Sequence, residues 1–119
     1  MGSPLYLICR LRYVDGRAVL LERLVVDASR TPGLLDFSFD QSLTSILKTA
    51  YGLSVARNQV TMQPCALKGY EAEALKVKSG LPGLAVQRVS YDAQGQVVEF
   101  DREYWRHDAV RISVDIRVR

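Results

Sequence analysis

Residues 5–27 set the tightest limit on the fold. Leu5, Leu7, Cys9, Leu11 and Tyr13 alternate with Tyr6, Ile8, Arg10 and Arg12, the period of two that marks a β-strand. Asp15-Gly16 follows, a hairpin signal because these residues accept the positive φ of a tight turn. The return run from Arg17 to Asp27 is almost continuously apolar, interrupted by Glu22 and Arg23. A strand that is apolar on both sides needs cover on both faces, so the hairpin belongs inside a packed sheet.

The rest of the chain supplies the remaining layers. Thr31-Pro32-Gly33 through Asp40 breaks the pattern and reads as loop. Leu43, Ile46, Leu47, Ala50 and Tyr51 then keep helical spacing, with Asp40 or Ser42 as the cap and Gly52 as the stop. Residues 53–68 read as an irregular strand broken by Pro64. A second helix is expected at about 70–78, ended by Gly80-Leu81-Pro82-Gly83. Three strands are expected at about 84–91, 96–106 and 109–118, the first two joined through Asp92-Ala93-Gln94-Gly95. The last alternates Val110, Ile112, Val114, Ile116 and Val118, read as pointing in, with Arg111, Ser113, Asp115 and Arg117. The sum is one α+β domain over residues 1–119: a mostly antiparallel sheet of five or six strands with two helices on one side.

Composition narrows the partners. The net charge is +3, and twelve of the sixteen basic residues are arginines spread through strands. A duplex-tracking surface would be denser, whereas isolated arginines suit bidentate recognition of a carboxylate or phosphate. Cys9 and Cys65 lack metal or redox spacing and are expected to be reduced and buried. No apolar run approaches ~20 residues, and residues 1–4 read as an expression remnant rather than a leader, so a cytoplasmic chain is expected.

Catalytic templates find little here. His107 is the sole histidine, too few nitrogen and sulfur ligands exist for a metal site, and no phosphate-binding glycine loop or nucleophile elbow occurs. No cofactor is expected. Three features remain. Arg10 and Arg12 share a face of the first strand, and an odd hairpin loop would bring Glu22 to that face, whereas an ideal two-residue loop would not. Glu22 in an apolar stretch would then need a cationic partner. Ser42 opens the first helix, where free N–H groups favour anions, although simple capping, taken alone, is the commoner reason for such a serine. With an even turn at 92–95, Arg88 lies opposite Glu99, as a surface ion pair or as part of a cavity, with Tyr104 nearby.

In order along the chain, these residues resemble a known family. Arg10-Leu11-Arg12, Asp15-Gly16 and Glu22 are similar to the opening of the UTRA domain, the effector-binding half of HutC-type GntR transcription regulators. Ser42-Leu43-Thr44 with Tyr51-Gly52, Gly83 to Arg88, and Tyr91 to Glu99 leading into Tyr104-Trp105-Arg106-His107-Asp108 continue the likeness. Thr44 stands where the family usually has tyrosine, and Val97 where it has proline.

The resemblance implies a chorismate-lyase-like fold and a non-enzymatic homodimer that binds a small, anionic effector such as a phosphosugar. It carries the binding positions to Arg10, Arg12, Glu22, Ser42, Glu99 and Tyr104, supported by Thr44 and Arg88. It also implies that DNA is reached only through an N-terminal winged helix not present in this sequence, so a fragment is expected. Two other readings fit the residues: a lyase-type enzyme on the same fold, or a dimerisation domain whose arginines are surface charges.

Overall fold

The computed structural model describes residues 4–118; the first three residues of the expected remnant lie outside them. Five strands, β1 (Leu5–Val14), β2 (Arg17–Asp27), β3 (Arg57–Leu67), β4 (Leu81–Tyr91) and β5 (Val97–Arg106), form one antiparallel sheet in the order β1-β2-β5-β4-β3. Two helices, α1 (Leu43–Tyr51) and α2 (Gly69–Leu75), accompany two single-turn 3-10 segments at Ala28–Arg30 and Leu34–Asp36.

The apolar run of β2 is covered on both faces, as its composition demands. On one face Ile8, Leu24 and Val26 pack with Leu43, Ile46 and Leu47 of α1. On the other, Ala18 and Leu21 pack with Leu67 and with Leu75 of α2. The helices therefore lie on opposite faces rather than on one side as expected. The alternation of β2 requires this, because it exposes apolar side chains in both directions. Helix α1 begins and ends where the residues indicate. The Ser42 hydroxyl accepts from the Ser45 N–H, and Gly52 takes the left-handed conformation at φ 67°.

Small irregularities decide which side chains share a face. The β1–β2 hairpin closes as a two-residue turn, with Asp15 at φ 51° and Gly16 at φ 76° and Val14 opposite Arg17. The register then shifts, so that Tyr13 faces Ala18 but Arg12 faces Leu20. Val19 is the extra residue of a bulge, and it brings Glu22 opposite Arg10. The parity comes from the bulge, not from the odd loop considered above. A second shift lies between Ser90 and Tyr91, placing Arg88 opposite Asp101 and Glu99 opposite Ser90. The turn here spans residues 92–96, with Asp92 Oδ1 accepting from the N–H groups of Gln94 and Gln96.

Other expectations require correction. The strand expected at 109–118 does not form: residues 110–118 join no ladder. Val110 and Ile112 border a cleft on the sheet, whereas beyond them the apolar side chains point to solvent, Val114 and Ile116 being 76% and 79% exposed. The segment leaves the sheet after β5 and finds no strand of its own chain beside it. Cys9 is exposed and Cys65 half-buried, both free, because Cys9 sits on the β1 face that α1 does not cover. Gly80 to Gly83 does not merely end a helix, since Leu81 to Gly83 already belong to β4.

Among the glycines, Gly83 is the one where a side chain would meet its neighbours too closely. A Cβ there would lie 2.7 Å from the Trp105 carbonyl oxygen and 2.8 Å from Leu67 Cγ. Backbone cannot yield as a side-chain tip does. Gly83→Ala is expected to lower stability by about 1–3 kcal/mol, read as a shifted urea midpoint with an unchanged m-value.

Candidate functional site

The α1-side face of the sheet carries a charged band across four strands. Glu22 of β2 is its fixed point. Its Oε2 accepts from Arg10 Nη2 at 2.8 Å and its Oε1 from Arg12 Nε at 2.9 Å. The Glu22 side chain is 8% exposed, Arg10 15% and Arg12 45%. A carboxylate this buried would be costly alone, and here each oxygen has its own guanidinium. Arg10 also donates from Nη1 to the Phe39 carbonyl at 3.3 Å, tying the band to the loop before α1. Arg12 spends only its Nε, and among the described residues its terminal nitrogens have no protein partner.

Strands β4 and β5 extend the band. Glu103 lies opposite Glu22, and Asp101 opposite Leu24. Arg88 Nη2 donates to Asp101 Oδ2 at 2.8 Å and stands 3.7 Å from Glu99 Oε1. Trp105 Nε1 donates to Glu103 Oε1 at 2.9 Å. Single carboxylate oxygens of Glu22, Asp101 and Glu103 lie within 4.8 Å of one another. That spacing could gather a cation, but a metal would compete with Arg10, Arg12 and Arg88 for the same oxygens.

Four carboxyl groups thus face three guanidinium groups, and protonation relieves the excess. Burial, then the hydrogen bond and charge of Glu103, push Asp101 up to about 8. Burial also raises Glu99, against the pull of Arg88 and Arg10. At neutral pH Asp101 is therefore largely a neutral acid, able to donate a hydrogen bond. Among the described residues, the buried side-chain polar atoms without a partner are Arg10 Nε, Arg88 Nε and Asp101 Oδ1. All three belong to this band. Buried polar atoms are normally satisfied, and the three exceptions are gathered on this one face.

Two openings adjoin the band. A shallow cleft of about 260 Å³ is bordered by Arg10, Arg12, Phe39 and Asp40. A cleft of about 290 Å³ is lined by Arg88, Glu103, Trp105, Met62, Val110 and Ile112 among others. A further cleft, about 370 Å³ and larger than either of these, lies on the α2 side and includes Gln63, Cys65, Gln87, Arg102 and Tyr104. Its one cation, Arg102, is already bonded to Gln87 at 2.9 Å, and none of the three orphaned atoms faces it. The smaller clefts beside the band are the better candidates on chemistry.

Of the residues singled out from the sequence, Arg10, Arg12, Glu22, Arg88 and Glu99 meet on this face. Ser42 caps α1 at the nearby helix start, exposed, as is Thr44, and neither lines a cleft described above. Tyr104 does not join them. The alternation of β5 turns it to the opposite face, where it packs beside Leu21 and Leu75. Asp101, Glu103 and Trp105 were missed, although the same alternation that carries Glu99 inward carries them too. Arg88 takes Asp101 as its nearer partner because the turn and bulge displace the ladder by two residues.

Comparison with known proteins gives consistent likenesses. A family model described as the UTRA domain matches residues 1–111. The HTH-type transcriptional regulator GmuR of Bacillus subtilis is 28% identical over 116 residues, covering 97% of this chain and 49% of that protein. The HTH-type transcriptional repressor PhnF of Mycolicibacterium smegmatis is 29% identical over 114 residues, covering 95% and 46%. The crystal structure of the effector domain of PhnF from Mycobacterium smegmatis superposes with a TM-score of 0.90 at 27% identity, covering 98% of this chain and 72% of that one. The chain spans about half the length of these curated relatives.

The raised Asp101 has a signed consequence. Between the ordinary carboxylate value near 3.8 and about 8, the folded state holds a proton that the unfolded state has released. Its stabilisation is complete below that window and is lost as pH rises through it. Asp101→Asn keeps the neutral form and an acceptor for Arg88. Its melting temperature is expected to exceed that of wild type increasingly from pH 5 to pH 9, by roughly several degrees at the upper end. Parallel thermal melts of the two proteins measure this difference, with groups remote from the band cancelling between them.

Proposed function

Since the chain belongs to the UTRA domain family, the effector-binding module of GntR-type transcriptional regulators, we propose that its α1-side charged band holds a small anionic metabolite. The observation that carries this reading is the confinement of the orphaned buried atoms to Arg10, Arg88 and Asp101. Arg12 is the anion contact, because its terminal nitrogens are free while Glu22 fixes its aim. Arg10 shares that role through the same carboxylate. Ser42 and the open N–H groups of α1 lie toward the same end and add weaker attraction.

The other end of the band suits hydroxyl or amine groups. Glu99 and Glu103 accept hydrogen bonds, while the proton of neutral Asp101 is shared with Glu103. An anion at one end and hydroxyls at the other describe a phosphorylated sugar, which is the effector class proposed. Tyr104 is left out of the proposed site by its placement on the far face.

The ligand acts as a signal and no chemistry is assigned to it, in keeping with GmuR and PhnF, which are transcriptional regulators by name. In a longer cytoplasmic protein of this kind, occupancy would govern DNA binding by an N-terminal winged helix. No helix of the described structure is long and apolar enough to cross a membrane. The module is proposed to work as a homodimer, a reading supported by exposed apolar side chains on residues 112–118.

Thermal shift tests the binding reading. A sugar phosphate at about 100 times its Kd is expected to add about 2.7 kcal/mol to stability, with the neutral sugar giving much less. Arg12→Ala is expected to lose that phosphate-dependent increment, read against the variant's own unliganded melt, which falls by a few degrees because the buried Glu22 keeps only Arg10. Absence of any shift across a panel of sugar phosphates, with folded protein, would end the proposal, as would an increment that survives Arg12→Ala.

A further inference from the structure

Like charges meet at the centre of the band. Glu22 of β2 stands directly opposite Glu103 of β5, and Asp101 lies two residues before Glu103 on the same face. Carboxylates facing each other across a ladder repel, and burial strengthens the repulsion. The guanidinium groups do not reach between them. Arg10 and Arg12 approach Glu22 from β1, and Arg88 approaches Asp101 Oδ2 from β4. Glu103 accepts from the Trp105 indole N–H, and among the described residues it pairs with no cation. Asp101 shows the same lack from a second side: its side chain is 1% exposed, and its Oδ1 has no partner.

We infer that the gap between Glu22, Asp101 and Glu103 is a subsite for a primary ammonium group, and that the effector is a zwitterion whose anion rests on Arg12. The spacing selects the cation. The three carboxylates each offer an oxygen within 4.8 Å of the others. Oxygens that accept from one ammonium at about 2.8 Å, set tetrahedrally, stand roughly 4.6 Å apart. Around a divalent metal they would close to roughly 3 Å, which would draw Glu22 away from Arg10 and Arg12. An ammonium also brings three donors to three acceptors. Access is from the cleft of about 290 Å³ that Arg88, Glu103 and Trp105 border. One strand spacing is about 4.8 Å, and the gap lies between β2 and β5 while Arg12 lies on β1, so the ligand's two charges are separated by roughly 5–10 Å.

The ammonium takes the place of a proton. Burial first, then the bond and charge of Glu103, push Asp101 up to about 8, so at neutral pH the carboxyl pair shares one proton. Binding of the amine releases it, and the amine is held more tightly as pH rises through that value. The charged groups facing the pair are Arg10 and Arg12 from β1, Glu22 from β2, Arg88 from β4 and Glu99 on β5 itself, whose carboxyl burial also raises. Helix α1 presents Leu43, Ile46 and Leu47 to this face, and the arginines keep their charge throughout.

The inference rests on the anion reading above, and the experiment separates the two. Calorimetric titration compares ω-aminoalkyl phosphates of roughly two to six carbons, which span that separation, with alkyl phosphates of the same length. At one length the amine is expected to bind at least about tenfold more tightly than its alkyl counterpart. Close to one proton is expected to leave per site at neutral pH, read from the heats in buffers of different ionisation enthalpy. Asp101→Asn and Glu103→Gln keep the side-chain shapes and are expected to bring that affinity ratio toward one and to remove the proton release. The ratio is taken within each variant, so a general loss of binding cancels, and circular dichroism checks that each variant folds. Alkyl phosphates that bind while their amines bind no better would keep the anion reading and overturn the zwitterion. An amine advantage that survives both variants would overturn the subsite. Failure of every member to bind folded wild type would sink both readings.

Discussion

One buried carboxylate organises the rest. Glu22 sits in the most buried strand of the sheet, and it is tolerable there only because Arg10 and Arg12 each take one of its oxygens. That arrangement exists only if β1 and β2 pair with even total displacement, and the bulge at Val19 provides the needed extra residue. Electrostatics and register thus enforce each other. A slip by one would return Glu22 to the α2 side and strand both guanidinium groups among the residues that meet α1.

From this fixed point the band across β2, β5 and β4 acquires its character. Carboxyl groups outnumber guanidinium groups, and the shortage of positive charge is met by a retained proton on Asp101. A site assembled this way has donors and acceptors at close quarters in a low-polarity setting, where each unmet hydrogen bond is expensive. Under the reading proposed above, it favours ligands that bring both an anionic group and hydroxyls over purely apolar ones, whose entry would bury the orphaned nitrogens further.

Much of the fold was legible in the residues. The hairpin, α1 with its Ser42 cap and Gly52 stop, and the five paired strands all follow from periodicity and turn chemistry. The arginine face of β1 was equally readable, since it needs only a count of two along a strand, whereas the sequence left Glu99 open between a surface ion pair and a cavity. Three things were not. Bulges at Val19 and next to Tyr91 leave no local signature, yet they set which residues stand opposite each other, and so Arg88 found Asp101. The side of the sheet that α2 chooses depends on β2 being apolar both ways, a fact visible in the sequence but not weighed against helix placement. The residues at 110–118 have strand character in full, while the partner that a strand needs is not encoded within the same chain's ladder.

The alternation of β5 carries one more implication. Glu103 and Trp105 look toward α1, while Tyr104 between them looks toward α2, so the strand acts as a thin wall between two rooms. Adjacent positions in the text of the chain are, in effect, tenants of different apartments who share only plumbing. Substitutions walking along this strand one residue at a time would be felt first on one side and then on the other, and any signal crossing from room to room must travel through backbone that both sides hold in common.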